Sequence, residues 1–140
     1  MTEAGDIAGC ILAGGQSRRM GEDKAALALG GATLIAQAIA RLTPQVGRVI
    51  VNRHDAASPL DIEGLPVVTD EPGDHQGPLA GILAALGWAR ANNIGWIATV
   101  AVDTPFFPRD LVRKLIAAAD DKEIAVASSG DRLHPVFGLW

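Results

Sequence analysis

Apolar residues recur at helical spacing in three places along this chain. The sets are Leu34, Ile35, Ala38, Ile39 and Leu42; Leu79, Ile82, Leu83 and Leu86; and Leu111, Val112, Leu115, Ile116 and Ala119. Each set predicts a helix with one buried face. Pro78 and Pro108 fall where the second and third helices should begin, a position at which a missing N–H costs nothing. Between the helices the apolar residues are continuous rather than alternating, at 7–12, 49–51, 66–69, 94–102 and 124–127. Runs of that kind suit strands buried on both faces. Strands alternating with helices predict a three-layer α/β fold with a mostly parallel sheet. Residues 53–65 read as a surface excursion, and no repeat, low-complexity tract or interdomain linker interrupts the pattern.

In such sheets ligands bind beyond the carboxyl ends of the strands. The first strand runs out into Ala13-Gly14-Gly15, the second ends at Asn52, the third at Asp70 and the fourth at Asp103. A glycine-rich loop, an amide and two carboxylates therefore share the end at which a ligand belongs. The loop matches neither G-x-G-x-x-G opening a helix nor G-x-x-x-x-G-K-[ST]. Adjacent glycines let the backbone turn sharply and approach a ligand, and N–H groups exposed there can cradle phosphate. Ser17, Arg18, Arg19 and Lys24 follow, supplying a hydroxyl, planar forks for phosphate oxygens and a point charge. The plain alternative is a tight turn followed by solvated surface charge.

Asp103 follows a long apolar run and precedes Thr-Pro-Phe-Phe-Pro. It is either a turn residue or an oxygen ligand of the kind Mg²⁺ takes when phosphate and water complete its shell. Asp70, before Glu71-Pro72-Gly73, allows the same two readings. Gly77 and Gly81 flank the start of the second helix, where N–H groups and the dipole favour an anion. They equally suit a helix that packs closely on its sheet.

Composition narrows the partners. The 140 residues are 49% hydrophobic and 20% charged, with a net charge of −4, which fits a globular domain and argues against non-specific nucleic-acid binding. Clustered cations on an acidic chain point to a small anionic ligand. Cys10 is the single cysteine, which suits a reducing compartment. The acidic start lacks the features of a secretory signal, and the apolar run from Ile94 is far short of the ~20 residues of a membrane helix. These features predict a soluble, cytoplasmic protein without membrane or nucleic-acid partners. His54, His75 and His134 are widely separated, no zinc spacing is present, and no G-x-S-x-G announces a nucleophile.

Residues 12–24, LAGGQSRRMGEDK, resemble the signature L-A-G-G-x-S-x-R-M-G-x-D-K of molybdenum cofactor guanylyltransferases. The resemblance continues in order through Asn52, Asp70, GPLAG at 77–81, DTPFFP at 103–108 and HP at 134–135. It implies a nucleotidyltransferase of Rossmann-like, glycosyltransferase-A-like fold that moves GMP from GTP to molybdenum-bearing molybdopterin and releases pyrophosphate. By the same resemblance Leu12, Ala13, Gly14 and Gly15 hold guanine and the nucleotide, while Lys24 and Arg19 meet the phosphates. Asn52 and Asp70 line the nucleotide site, Asp103 binds Mg²⁺, and Gly77 and Gly81 lie on the pterin side. Molybdoenzymes or their chaperones are the implied recipients of the product.

Related cytidylyltransferases for the same cofactor typically read L-A-A-G where this chain has Leu12-Ala13-Gly14-Gly15, which favours the larger guanine. Sugar-phosphate nucleotidyltransferases more often carry Pro-Lys at Asp23-Lys24. A non-catalytic nucleotide- or pterin-binding module is the alternative from another class. Family members continue past the point where this chain stops, with an N-x-N-T-P segment on the acceptor side. Residues 1–140 are therefore expected to be one nucleotidyltransferase domain lacking its C-terminal part.

Overall fold

In a computed structural model the described residues are 3–13, 28–29, 32–53, 64–70 and 78–140. The main sheet contains β1 (Ile7–Leu12), β4 (Arg48–Arg53), β5 (Val67–Thr69), β6 (Trp96–Ala101), β7 (Ala125–Ser129) and β8 (Arg132–Leu139), in the order β5-β4-β1-β6-β8-β7. Pairing is parallel from β5 through β4 and β1 to β6. It is antiparallel where β8 joins β6 and β7. A two-residue ribbon, β2 (Ala28–Leu29) with β3 (Ala32–Thr33), precedes the first helix and was not anticipated.

The helices are α1 (Leu34–Leu42), α2 (Pro78–Ala91) and α3 (Leu111–Ala119). Because strand side chains alternate between faces, Ile7 and Ile11 of β1 point to one side of the sheet. They join Val49, Val51 and Val100 under Ile35, Ala38 and Leu42 of α1 and Leu111, Val112 and Leu115 of α3. Ala8, Cys10 and Leu12 point to the other side, with Ile50 and Ile97, against Ile82, Ala85 and Ala89 of α2. The three layers are thus α1 and α3, the sheet, and α2.

Three expectations are corrected. The second helix buries Ala80, Gly81, Ile82, Ala84, Ala85 and Ala89, whereas Leu79 and Leu83 are 54% and 44% exposed. This helix is apolar nearly all round, so periodicity gives little phase. Small side chains occupy the inward side because they let it lie close to β1 and β4. Likewise β5 is an edge strand with Val67 and Thr69 exposed, not a strand buried on both faces.

Third, α3 begins at Leu111, so Pro108 precedes the helix and only Pro78 occupies a first helical position. Asp110 makes no side-chain cap; instead the Val112 N–H donates to Oε1 of buried Gln45 at 2.9 Å. Gln45 Nε2 donates to the Arg41 and Pro108 carbonyls, both at 3.1 Å, and stitches the end of α1 to the start of α3. A cap borrowed from a distant segment leaves no local sequence signal. The start of α1 is local, with Thr33 Oγ1 accepting from the Ala36 N–H at 3.1 Å.

Candidate functional site

Strand register alone assembles the site. Leu12 pairs with Asn52 on one side and Ala101 on the other, and Asn52 pairs with Val68. One row therefore crosses the carboxyl ends of four parallel strands. Beyond it the Ala13 N–H donates to the Asn52 carbonyl at 2.8 Å, and the Asp70 N–H donates to the Arg53 carbonyl at 3.2 Å. Asp103 stands two residues past the end of β6.

On the β4–β5 side the row is tightly knit. Asn52 is 2% exposed, and its Nδ2 donates to the Val68 carbonyl at 3.1 Å and to Asp70 Oδ1 at 2.8 Å. α2 closes over it at Gly81, where an added Cβ would overlap Asn52 Oδ1 and stand 3.0 Å from Leu12 Cδ2. The absence of a side chain at Gly81 is thus required by close packing on the sheet. Of the candidates read from sequence, Leu12, Ala13, Asn52, Asp70 and Gly81 come together here. Gly14, Gly15, Arg19, Lys24 and Gly77 lie outside the described residues.

Two nearby groups shape this corner. Arg53, expected in a surface excursion, is instead the last residue of β4 and is buried. A lone cation after an apolar run gives no sequence signal of that burial. Cys10 lies in β1 and is fully buried, and its thiol is pushed from 9.0 up to about 12. Burial is the main cause, with a smaller push from the Asp70 charge; a backbone hydrogen bond at Asn52 partly offsets them. Such a thiol is protonated at neutral pH and is no nucleophile.

On the β6 side the row opens. Asp103 is exposed in the turn that follows the strand. From it a cleft of about 710 Å³ runs between α3 and the β7–β8 hairpin, lined mainly by Phe106, Phe107, Leu115 and Phe137 with Thr104 and His134. At the hairpin, Ser129 Oγ and His134 Nε2 lie 2.6 Å apart. Lys114, also on the cleft, pairs with Asp110 at 3.4 Å. Among the described residues there is no group of three or more His, Cys, Asp or Glu side chains able to hold a metal ion. Nor, among them, is any helix long and apolar enough to cross a membrane.

A mostly parallel three-layer sheet with these groups at its carboxyl end is a nucleotidyltransferase fold. The crystal structure of the Mycobacterium tuberculosis rv0371c homologue from Mycobacterium sp. strain JC1 superposes with a TM-score of 0.75 at 26% identity, covering 96% of this chain and 69% of that one. Residues 9–140 match the family described as the MobA-like NTP transferase domain, and the chain belongs to that family. A molybdenum cofactor guanylyltransferase of Nitrobacter hamburgensis is 47% identical over 137 residues, which cover 94% of this chain and 66% of the relative. One from Rhizobium leguminosarum bv. trifolii is 48% identical, covering 96% of this chain and 63% of the relative. The chain thus spans a little under two thirds of these relatives' length.

Proposed function

We propose that this chain carries the nucleotide half of an Mg²⁺-dependent guanylyltransferase acting on molybdenum-bearing molybdopterin. The observation that carries the reading is the convergence of Leu12, Ala13, Asn52 and Asp70 at the sheet's carboxyl end. The family match adds its support, with relatives of that name near 47% identity. In the reaction a terminal phosphate oxygen of the acceptor forms a bond to the α-phosphorus of GTP. The bond from that phosphorus to the α–β bridging oxygen breaks, and pyrophosphate leaves with the electron pair. The attacking phosphate is already ionised at neutral pH, so no general base is required.

The residues then act by alignment and charge. Leu12, Ala13, Gly14 and Gly15 hold the nucleoside, with Asn52 and Asp70 beside it. Arg19 and Lys24 meet the phosphate chain, Gly77 serves the acceptor side, and Gly81 packs against Asn52 and Leu12. Asp103, an exposed carboxylate two residues beyond the end of β6, offers hard oxygen ligands. It would hold Mg²⁺, whose shell phosphate and water complete, and would thereby bring positive charge to the leaving group. A free, buried Cys10 fits a reducing cytoplasm, and molybdoenzymes or their chaperones are the recipients this reading implies.

The test follows α-labelled GTP and, in parallel, α-labelled CTP with the molybdenum-bearing acceptor. It uses this chain and a version extended at its C-terminus with a relative's corresponding segment. Label from GTP passing into a dinucleotide only when Mg²⁺ is present is the expected result. A clear preference for CTP, or no product from the extended version, overturns the assignment.

A further inference from the structure

Both N–H hydrogens of the Asn52 side chain are already engaged. Its amide nitrogen faces two acceptors, the Val68 carbonyl at 3.1 Å and Asp70 Oδ1 at 2.8 Å, so both N–H hydrogens are committed. Those two acceptors also fix which end of the amide is nitrogen. The remaining oxygen lies so near Gly81 that one added carbon there would overlap it. The side chain is 2% exposed, and the backbone carbonyl accepts from the Ala13 N–H at 2.8 Å. Asn52 has no side-chain donor left for a ligand.

We propose that Asn52 is a positioning residue: it fixes the Asp70 carboxylate at the mouth of the site and acts on the nucleotide only through it. This rests on the reading that Asp70 faces the nucleotide. The hydrogen bond from a neutral amide to a carboxylate is charge-assisted and directional. It is anchored on a central part of the sheet, because Asn52 pairs with Leu12 of β1 and Val68 of β5 at once. Asp70 itself follows a three-residue edge strand, the least constrained of the parallel four. Gly81 belongs to the same device, since it leaves the room in which the amide sits.

The test is a double-mutant cycle on GTP binding by this chain with Mg²⁺, read by calorimetry, with thermal melting recorded for every variant. Asn52→Ala weakens GTP binding about tenfold when Asp70 is present, and less than about twofold in the Asp70→Ala background. Gly81→Ala keeps Asn52 in the chain but displaces its amide; it runs the same cycle should Asn52→Ala lose the fold, and gives the same dependence on Asp70. A merely structural tie between β4 and β5 lowers the melting temperature and weakens binding equally in both backgrounds, which overturns the proposal. So does an effect of Asn52→Ala that multiplies with that of Asp70→Ala, the mark of a direct contact. If Asp70→Ala alone leaves GTP binding unchanged, the reading of Asp70 falls and the proposal with it.

Discussion

The two halves of the row at the sheet's carboxyl end are built on opposite plans. Toward β5 the buried Asn52 amide is hydrogen-bonded to the half-buried Asp70 and pressed under α2, so that Asn52, Asp70 and Gly81 define one another's positions. Toward β8 a carboxylate stands exposed at the head of a wide, mostly apolar cleft. Burying a polar network is tolerable only when its members are satisfied, and a satisfied network is rigid. An exposed carboxylate is held by water and costs nothing to leave open, so it can exchange water for a cation. One side is suited to recognition by fixed geometry, the other to transient charge.

That contrast predicts a separation of stability from turnover. Asp103→Ala lowers Mg²⁺-dependent dinucleotide formation by about 10²–10³-fold, while unfolding free energy stays within about 0.5 kcal/mol of the parent. Turnover assays beside denaturant melts check both halves; a large loss of stability would show Asp103 to be a structural turn residue. On the other side, Gly81→Val reverses the pattern, because the new side chain meets Asn52 and Leu12. It should cost about 3 kcal/mol of stability, at the upper end for overpacking, read from the shift of the urea midpoint.

Cys10 sharpens the comparison through pH. Its thiol is raised to about 12 in the folded chain against 9.0 ordinarily. Below pH 9 the group is protonated in both states and its contribution to stability is fully present. Between about 9 and 12 the unfolded chain releases the proton while the folded chain keeps it, so stability falls as pH rises. Replacing Cys10 with Ala should flatten that limb of the stability–pH curve. Native protein at pH 8 should resist thiol reagents that label it in urea.

Much of this was legible in the sequence where the signal is local. The buried faces of α1 and α3 follow from their periodicity, since Ile35, Ala38, Leu42, Leu111, Val112 and Leu115 are all buried. So do the strand ends that collect Leu12, Asn52, Asp70 and Asp103. What escaped depends on partners far away in the chain. The α3 cap comes from Gln45, 67 residues away from Val112. The inward face of α2 was chosen by contact with the sheet rather than by hydrophobicity. β8 contains Pro135, which argues against an interior strand. It is accommodated because the β7–β8 register shifts between Val126 and Ala127. The Asn52–Asp70 bond is likewise invisible in sequence, although both residues are marked as strand ends.

The smallest effect isolates the cause most cleanly, because α2 carries a second glycine. Gly87 is exposed and has nothing within 4 Å of an added Cβ, whereas the same atom at Gly81 meets Asn52 and Leu12. Propensity treats the two alike: Gly→Ala inside a helix is worth about 0.5–1 kcal/mol of stabilisation. Gly87→Ala should therefore raise stability by about that amount and leave GTP binding unchanged. Gly81→Ala should lose this gain to displacement of an amide held by two hydrogen bonds, ending about 1–2 kcal/mol less stable than the parent. Chemical denaturation of the pair measures the difference. Equal stabilisation by both substitutions would mean that Asn52 yields to the helix, and that the rigid side of the site is softer than its hydrogen bonds imply.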